Sequence, residues 1–198
     1  MQPLKQALNL LKTETRLALL LGSISLLTAL LSLQIAFFGA FLISVVLLFS
    51  PLYIWNWQAR GQRGLSFKLI KENATALAVL SLLTFPTGLL LGSSAGILQR
   101  TDQLLASLPQ AYFLIFICLV FYAIIGQSLI FIARDNLTIA KALDLALKGL
   151  SQQILPLITM CLIIALFFIP SLFLAGLGLL LVCPVYYFSI YYFSKSVT

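Results

Sequence analysis

Residues 171–193, SLFLAGLGLLLVCPVYYFSIYYF, hold no charged side chain. As a helix rising ~1.5 Å per residue, the run would cover roughly 35 Å, more than the ~30 Å hydrocarbon core of a bilayer. A chain with such a run must bury it in protein or hand it to lipid. Only 9% of this chain is charged and 62% is hydrophobic, against about 25% charged in soluble domains. There is too little polar surface to cover a water-facing body, so lipid is the expected solvent. Ala175, Gly176 and Gly178 open the run, Pro184 interrupts it, and tyrosines close it. Residues 36–57 repeat the plan with Gly39, Pro51, Tyr53, Trp55 and Trp57.

The remaining apolar stretches fall at 17–33, 74–98, 112–132 and 154–169. With the two above they predict six transmembrane helices. No A-x-A cleavage site follows 17–33, which reads as an uncleaved first span. Gln34 marks a tight turn, residues 99–110 form the one sizeable outer loop, and Pro170 turns the chain between the last two spans. Three polar stretches precede alternate spans. Residues 1–16 put Leu4, Ala7, Leu8 and Leu11 on one helical face, with Lys5, Gln6, Asn9 and Lys12 elsewhere. This suits a helix in the membrane interface or a cytosolic extension of the first span. Residues 58–73 and 134–153 repeat the amphipathic pattern. In the latter, Ile139, Leu143, Ala146, Leu147 and Leu150 oppose Lys141, Asp144 and Lys148.

All twelve Lys and Arg except Arg100 fall before span one, between spans two and three, between four and five, or after six. Cytoplasmic loops are rich in Lys and Arg, so both termini are expected in the cytoplasm. The net charge of +7 is thereby read as topology and headgroup contact, and no nucleic-acid partner is expected.

The unit of amphipathic helix, span, turn and longer span occurs three times, at about 1–60, 64–134 and 137–197, within one membrane domain. QALNLLK at 6–12 resembles KALDLALK at 141–148, and SPLY at 50–53 resembles CPVY at 183–186. Ala59-Arg60 is echoed by Ala133-Arg134. Such copies share one orientation about an axis near the membrane normal, unless apolar hairpins merely resemble each other by composition.

The stretch 140–195 joins a basic amphipathic helix, Pro156 and GLGLLLVCPVYYFSIYY. It resembles the C-terminal half of a bacterial six-helix inner-membrane family of unknown function. It is also similar to the membrane domain fused to some glycerophosphodiester phosphodiesterases. The likeness covers roughly the last 60 residues and is only architectural before them. It implies an integral envelope protein and carries over no functional residue.

Chemistry is sparse. Glu14, Glu72, Asp102, Asp135 and Asp144 are scattered, no histidine is present, and neither a Walker A nor a GxSxG pattern occurs. No catalytic, cofactor-binding or metal-ligating residue is nominated. Cys118, Cys161 and Cys183 sit in apolar runs and read as buried free thiols. Gly88, Gly92 and Gly96 share a face suited to close packing, within the bundle or against another subunit of this or another membrane protein. Pro51, Pro86 and Pro184 are expected helix kinks. Gln127 reads as an interhelical hydrogen-bonder or, with the Pro86 break, as part of a polar path. Tyr186, Tyr187, Tyr191 and Tyr192, like Tyr53, Trp55 and Trp57, suit a headgroup-level belt.

The sequence thus leads to an all-α polytopic bundle of three helical hairpins, each preceded by an interfacial helix. It is expected in a bacterial inner membrane with lipids as partners and no enzymatic role. A scaffold or accessory subunit in envelope or lipid homeostasis is the first function expected. The second is a small transporter or permease subunit for a lipid-like or uncharged solute.

Overall fold

The computed structural model describes residues 2–34, 36–61, 67–98, 104–173 and 177–196. At 31–34, 36–40, 60, 67–68, 91–98, 104–106 and 172–173 only the backbone course is described. Among these residues every element is a helix: α1 (Gln2–Thr13), α2 (Thr15–Gln34), α3 (Ala36–Arg60), α4 (Phe67–Leu98), α5 (Leu104–Asp135), α6 (Ile139–Gln152), α7 (Ile154–Phe173) and α8 (Leu179–Ser196).

Among the described residues, four stretches are long and apolar enough to cross a membrane: Phe41–Ala59, Leu69–Leu90, Ser107–Asp135 and Ile154–Ser171. A fifth arises when α2 is joined to α1, from which it bends by 102°. The expected turn near Gln34 falls between α2 and α3, at a residue outside the described ones. Leu-rich outer faces, such as Leu82, Phe113, Leu155 and Phe167, are exposed on the bundle flanks, as lipid requires.

Three expectations about element boundaries are corrected. Residues 58–73 do not form a separate interfacial helix; from Phe67 onward they belong to the first turns of α4. Asn73 Nδ2 donates to the Leu69 carbonyl at 3.0 Å, within the continuing helix. The outer loop is shorter than 99–110, because α5 begins at Leu104 and takes Pro109 on an exposed side. Residues 171–193 are not one helix. α7 continues through Pro170, where Ser171 Oγ donates to the Phe167 carbonyl at 2.6 Å. α8 begins only at Leu179, after Gly178 has come against Ser171. A Cβ at Gly178 would lie 2.7 Å from the Ser171 Cα, so the turn needs glycine there.

The other breaks follow from local chemistry. Gln153 separates α6 from α7 ahead of Pro156, whose missing N–H is harmless in a first turn but costly inside a continuous helix. α3 ends before Gly61 at φ +64°, and α5 before Asn136 at φ +51°. Both are left-handed residues of the kind that stop helices.

Consecutive helices α2–α3, α4–α5 and α7–α8 pack on each other, and so do α2–α8, α3–α4 and α5–α7. Helices α3, α5 and α8 also touch one another and form the centre. Of the apolar stretches, 67% of that in α5 is buried against 28% of that in α4. The three inner helices meet where a Cβ on Gly126 would stand 3.5 Å from Ile190 Cγ2 and 3.6 Å from Pro51 Cγ.

The two amphipathic helices lie against inner helices, α1 on α8 and α6 on α5. α1 turns Ala7 and Leu10 inward, while Lys5, Gln6, Asn9 and Lys12 are exposed. α6 buries Ala142, Ala146 and Gly149, small residues that let it approach Phe131, and leaves Leu147 half exposed. Lys148 Nζ lies 2.7 Å from Asp144 Oδ2, as the i,i+4 spacing predicts.

Candidate functional site

Two features collect polar chemistry. The first is a hydroxyl network inside α3, α4 and α5. The Thr84 carbonyl accepts from Thr87 Oγ1 at 2.6 Å, and Tyr122 Oη and Ser44 Oγ lie 3.3 and 3.4 Å from it. Tyr122 Oη and Ser44 Oγ are 2.8 Å apart, and Cys118 Sγ donates to the Thr87 carbonyl at 3.5 Å. One turn away, Ser81 Oγ is fully buried with no hydrogen-bond partner among the described residues. The network lies beside Pro86, which has no N–H for the carbonyl four residues back. The proline ring itself is on the exposed side of α4, and the hydroxyls gather on the inner side.

The tyrosines of α8 do comparable work. Tyr187 Oη is 2.7 Å from Ser25 Oγ, and Ser25 Oγ donates to the Leu21 carbonyl at 2.9 Å. A hydroxyl carries one proton, so Tyr187 is the donor to Ser25. Tyr186 Oη donates to the Leu119 carbonyl at 2.6 Å. Tyr186, Tyr187 and Tyr191 are almost wholly buried, as are Tyr53 and Trp55. The expected belt is therefore largely a set of interior rings; a buried phenol needs a partner, and for Tyr186 and Tyr187 a neighbouring helix supplies it.

The residues nominated from sequence are spread along the bundle. Pro51 and Pro184 are buried, Pro51 against the Gly126 position. Gly88 is buried on α4; Gly92 and Gly96 lie on the same helix, at positions described by backbone course alone. Gln127 is buried on α5, five residues beyond Tyr122, about 7 Å farther along the axis and about 140° round it. Gln127 and the hydroxyls beside Pro86 thus occupy different levels and faces. The three cysteines are free and buried, as expected.

The second feature is a cleft of about 570 Å³ where the start of α1, the α6–α7 junction and the end of α8 come together. Gln2 and Gln6 line one wall, Gln153 and Pro156 another, and Tyr192 and Lys195 a third. Gln153 Nε2 donates to the Ser196 carbonyl at 3.1 Å, and Ser196 Oγ donates to Gln153 Oε1 at 2.9 Å. This reciprocal pair ties the α6–α7 junction to the last turn of α8. Lys195 Nζ sits 4.9 Å from the centre of the Tyr191 ring and 6.0 Å from that of Tyr192. Beneath the cleft, Pro3 and Leu4 of α1 face Thr159, Met160 and Ile163 of α7 across a narrow apolar groove. Pro3 and Pro156 line both spaces.

Sequence reasoning missed the cleft because its walls come from three distant segments. The signals were a glutamine in each amphipathic stretch and a lysine after the last span, read one by one as interface residues. It also missed Gly22, where α2 comes against the backbone of α8, although Ala18 and Gly22 form a small-xxx-small pair. No known protein family, curated protein or solved structure matches the chain.

Proposed function

We propose that this chain is a non-enzymatic, six-span protein of a bacterial cytoplasmic membrane, acting as a scaffold or accessory subunit in envelope or lipid homeostasis. Its Lys- and Arg-rich ends, both termini included, face the cytoplasm. It is built from three copies of one unit around an axis along the membrane normal, and belongs with the six-helix inner-membrane proteins that residues 140–195 resemble.

The packing order supports the threefold plan. α2 packs on α8, α4 on α3 and α7 on α5. Each first arm therefore leans on the second arm of the copy before it, with the first copy leaning on the last. The amphipathic helices keep the same rule, α6 on α5 and α1 on α8. Chance similarity of apolar hairpins gives no reason for such a cyclic order.

The observation that carries the scaffold reading is the closed centre. Where the inner helices converge, a Cβ added to Gly126 would already be in ordinary van der Waals contact with Ile190 and Pro51, which leaves little room between them at that level. The second reading, a permease subunit for an uncharged or lipid-like solute, draws on Ser81 and the hydroxyls gathered around Thr84.

Affinity purification from native membranes, with the bound proteins and lipids identified, tests both. A stoichiometric membrane partner without a nucleotide-binding motif supports the scaffold; a partner with one supports the permease. For topology, alkaline phosphatase fused after Gln110 is expected to be active and after Ser151 inactive. The reverse pattern would sink the orientation.

A further inference from the structure

We infer that the inner face of α4 between Asn73 and Thr87 is a route for a small uncharged polyol, with the Ser81 hydroxyl as its binding point. The inference rests on the second reading above, a permease subunit for an uncharged solute, and gives that reading a route and a substrate class.

Ser81 stands apart from the other buried hydroxyls. A serine inside a helix can bond back to the carbonyl four residues before it. Ser25 does so on Leu21, Ser50 on Val46, Ser128 on Ile124 and Ser189 on Val185. Ser81 has no exposed surface, yet its Oγ bonds neither the Leu77 carbonyl nor any other group among the described residues. Local satisfaction accounts for those four serines and not for this one. A serine hydroxyl donates one proton and accepts at two lone pairs. All of that capacity is open at Ser81, in an interior where an unmet polar group is costly.

The neighbouring groups extend this point into a row. At 3.6 residues per turn, Asn73, Ser81, Thr84 and Thr87 fall within about 120° of one another. They span roughly 21 Å along α4, most of the ~30 Å hydrocarbon core. α4 packs on α3 and α5. These helices add Ser44 and Tyr122, whose hydroxyls lie 2.8 Å apart near the Thr84 carbonyl. No charged side chain occurs in 41–59, 73–87 or 107–133, so an ion would meet no counter-charge in the row. Groups that both donate and accept match a polyol, which carries the same groups along its own chain.

The row lies away from the closed centre at Gly126, and its outer wall is α4. That helix has 28% of its apolar stretch buried, the smallest share of the four. Pro86 removes one backbone bond from α4 on its exposed side, where a helix bends most readily. Ser44, Ser81, Thr84 and Tyr122 are fully buried. The row is therefore shut in this structure, and an outward bend of α4 at Pro86 opens it.

The test uses the full-length protein reconstituted into liposomes. Glycerol entry is followed by light scattering after an osmotic step, and potassium entry is measured in parallel. The parent should raise glycerol entry above that of protein-free liposomes and leave potassium entry unchanged. Ser81→Ala should lower glycerol entry about two- to tenfold, the effect of losing one neutral hydrogen bond. Its melting temperature should stay at or above the parent's, so the loss is not one of folding. Ser128→Ala removes a buried hydroxyl bonded to its own helix and should leave glycerol entry as in the parent. Ser81→Cys, which keeps the shape but bonds weakly, carries the test should Ser81→Ala fail to reconstitute, and it should lower entry too. Parental glycerol entry that the Ser81 variants leave intact, or that Ser128→Ala lowers equally, overturns the route and leaves the permease reading. Potassium entry rising with glycerol overturns the restriction to uncharged solutes. Parental entry no faster than in protein-free liposomes removes the permease reading and the route together.

Discussion

Gly22 of α2 and Leu180 of α8 touch backbone to backbone: a Cβ at residue 22 would lie 2.7 Å from the Leu180 Cα. The neighbour is main chain, so it cannot turn aside as a side chain could. Gly22→Ala should therefore force the helices apart and cost ~1–3 kcal/mol, the usual range for overpacking. Gly126 offers the contrast, since its added Cβ would meet Ile190 and Pro51 side chains at ordinary distances of 3.5 and 3.6 Å. Gly126→Ala should stay within about 1 kcal/mol of the parent, helped by alanine's better helix propensity. Thermal unfolding in detergent checks the order. A Gly22→Ala protein melting with the parent would mean that α2 and α8 do not cross here.

Part of this was readable from residues alone. Charge-free runs set the helical class, and the amphipathic patterns of residues 1–16 and 134–153 marked α1 and α6. Boundaries were less readable. Pro170 looked like a turn but is spanned by α7, because a single lost N–H on an exposed face leaves the rest of the last turn bonded. The tyrosines looked like a belt because composition at a span end does not say which way a ring points. Burial of Tyr187 depends on Ser25, 162 residues away, and no local pattern encodes that pairing. The cleft is hidden for the same reason.

The Tyr187–Ser25 bond lends itself to a double-mutant cycle. Tyr187→Phe removes the donor and leaves Ser25 bonded to the Leu21 carbonyl. The coupling between Tyr187→Phe and Ser25→Ala should be about 0.6 kcal/mol, the average for interhelical bonds in lipid. Additive losses would show that the two hydroxyls do not share a bond.

Ser81 and Ser44 should respond in opposite directions. Ser44 Oγ is bonded to Tyr122, whereas Ser81 Oγ is buried without a partner among the described residues. Ser44→Ala should destabilise by ~0.5–1.5 kcal/mol, and Ser81→Ala should be neutral or stabilising, because it removes an unmet polar group. Melting temperatures of the two variants give the signs directly, and a destabilised Ser81→Ala would reveal a bond to a group not yet placed.

The thiols offer a quicker check. Cys118 and Cys161 are wholly buried and Cys183 nearly so. A maleimide reagent should leave all three unmodified in the folded protein and modify all three after denaturation, as mass spectrometry would count. Rapid labelling of Cys161 in the folded state would place the inner face of α7 outside the bundle.

Because α1 and α2 find their partners in α8, the ribosome delivers the two halves of this contact far apart in time. At ~5–20 residues per second, the 162 residues from Ser25 to Tyr187 take roughly 8–32 s to emerge. During that interval the Gly22 surface stands without its partner. A chain stalled before Leu179 cannot make these contacts, so α8 acts as a latch on α1 and α2. Insertion factors would have to shield the first hairpin until then, and membrane proteases could read its uncovered face as the sign of an unfinished product.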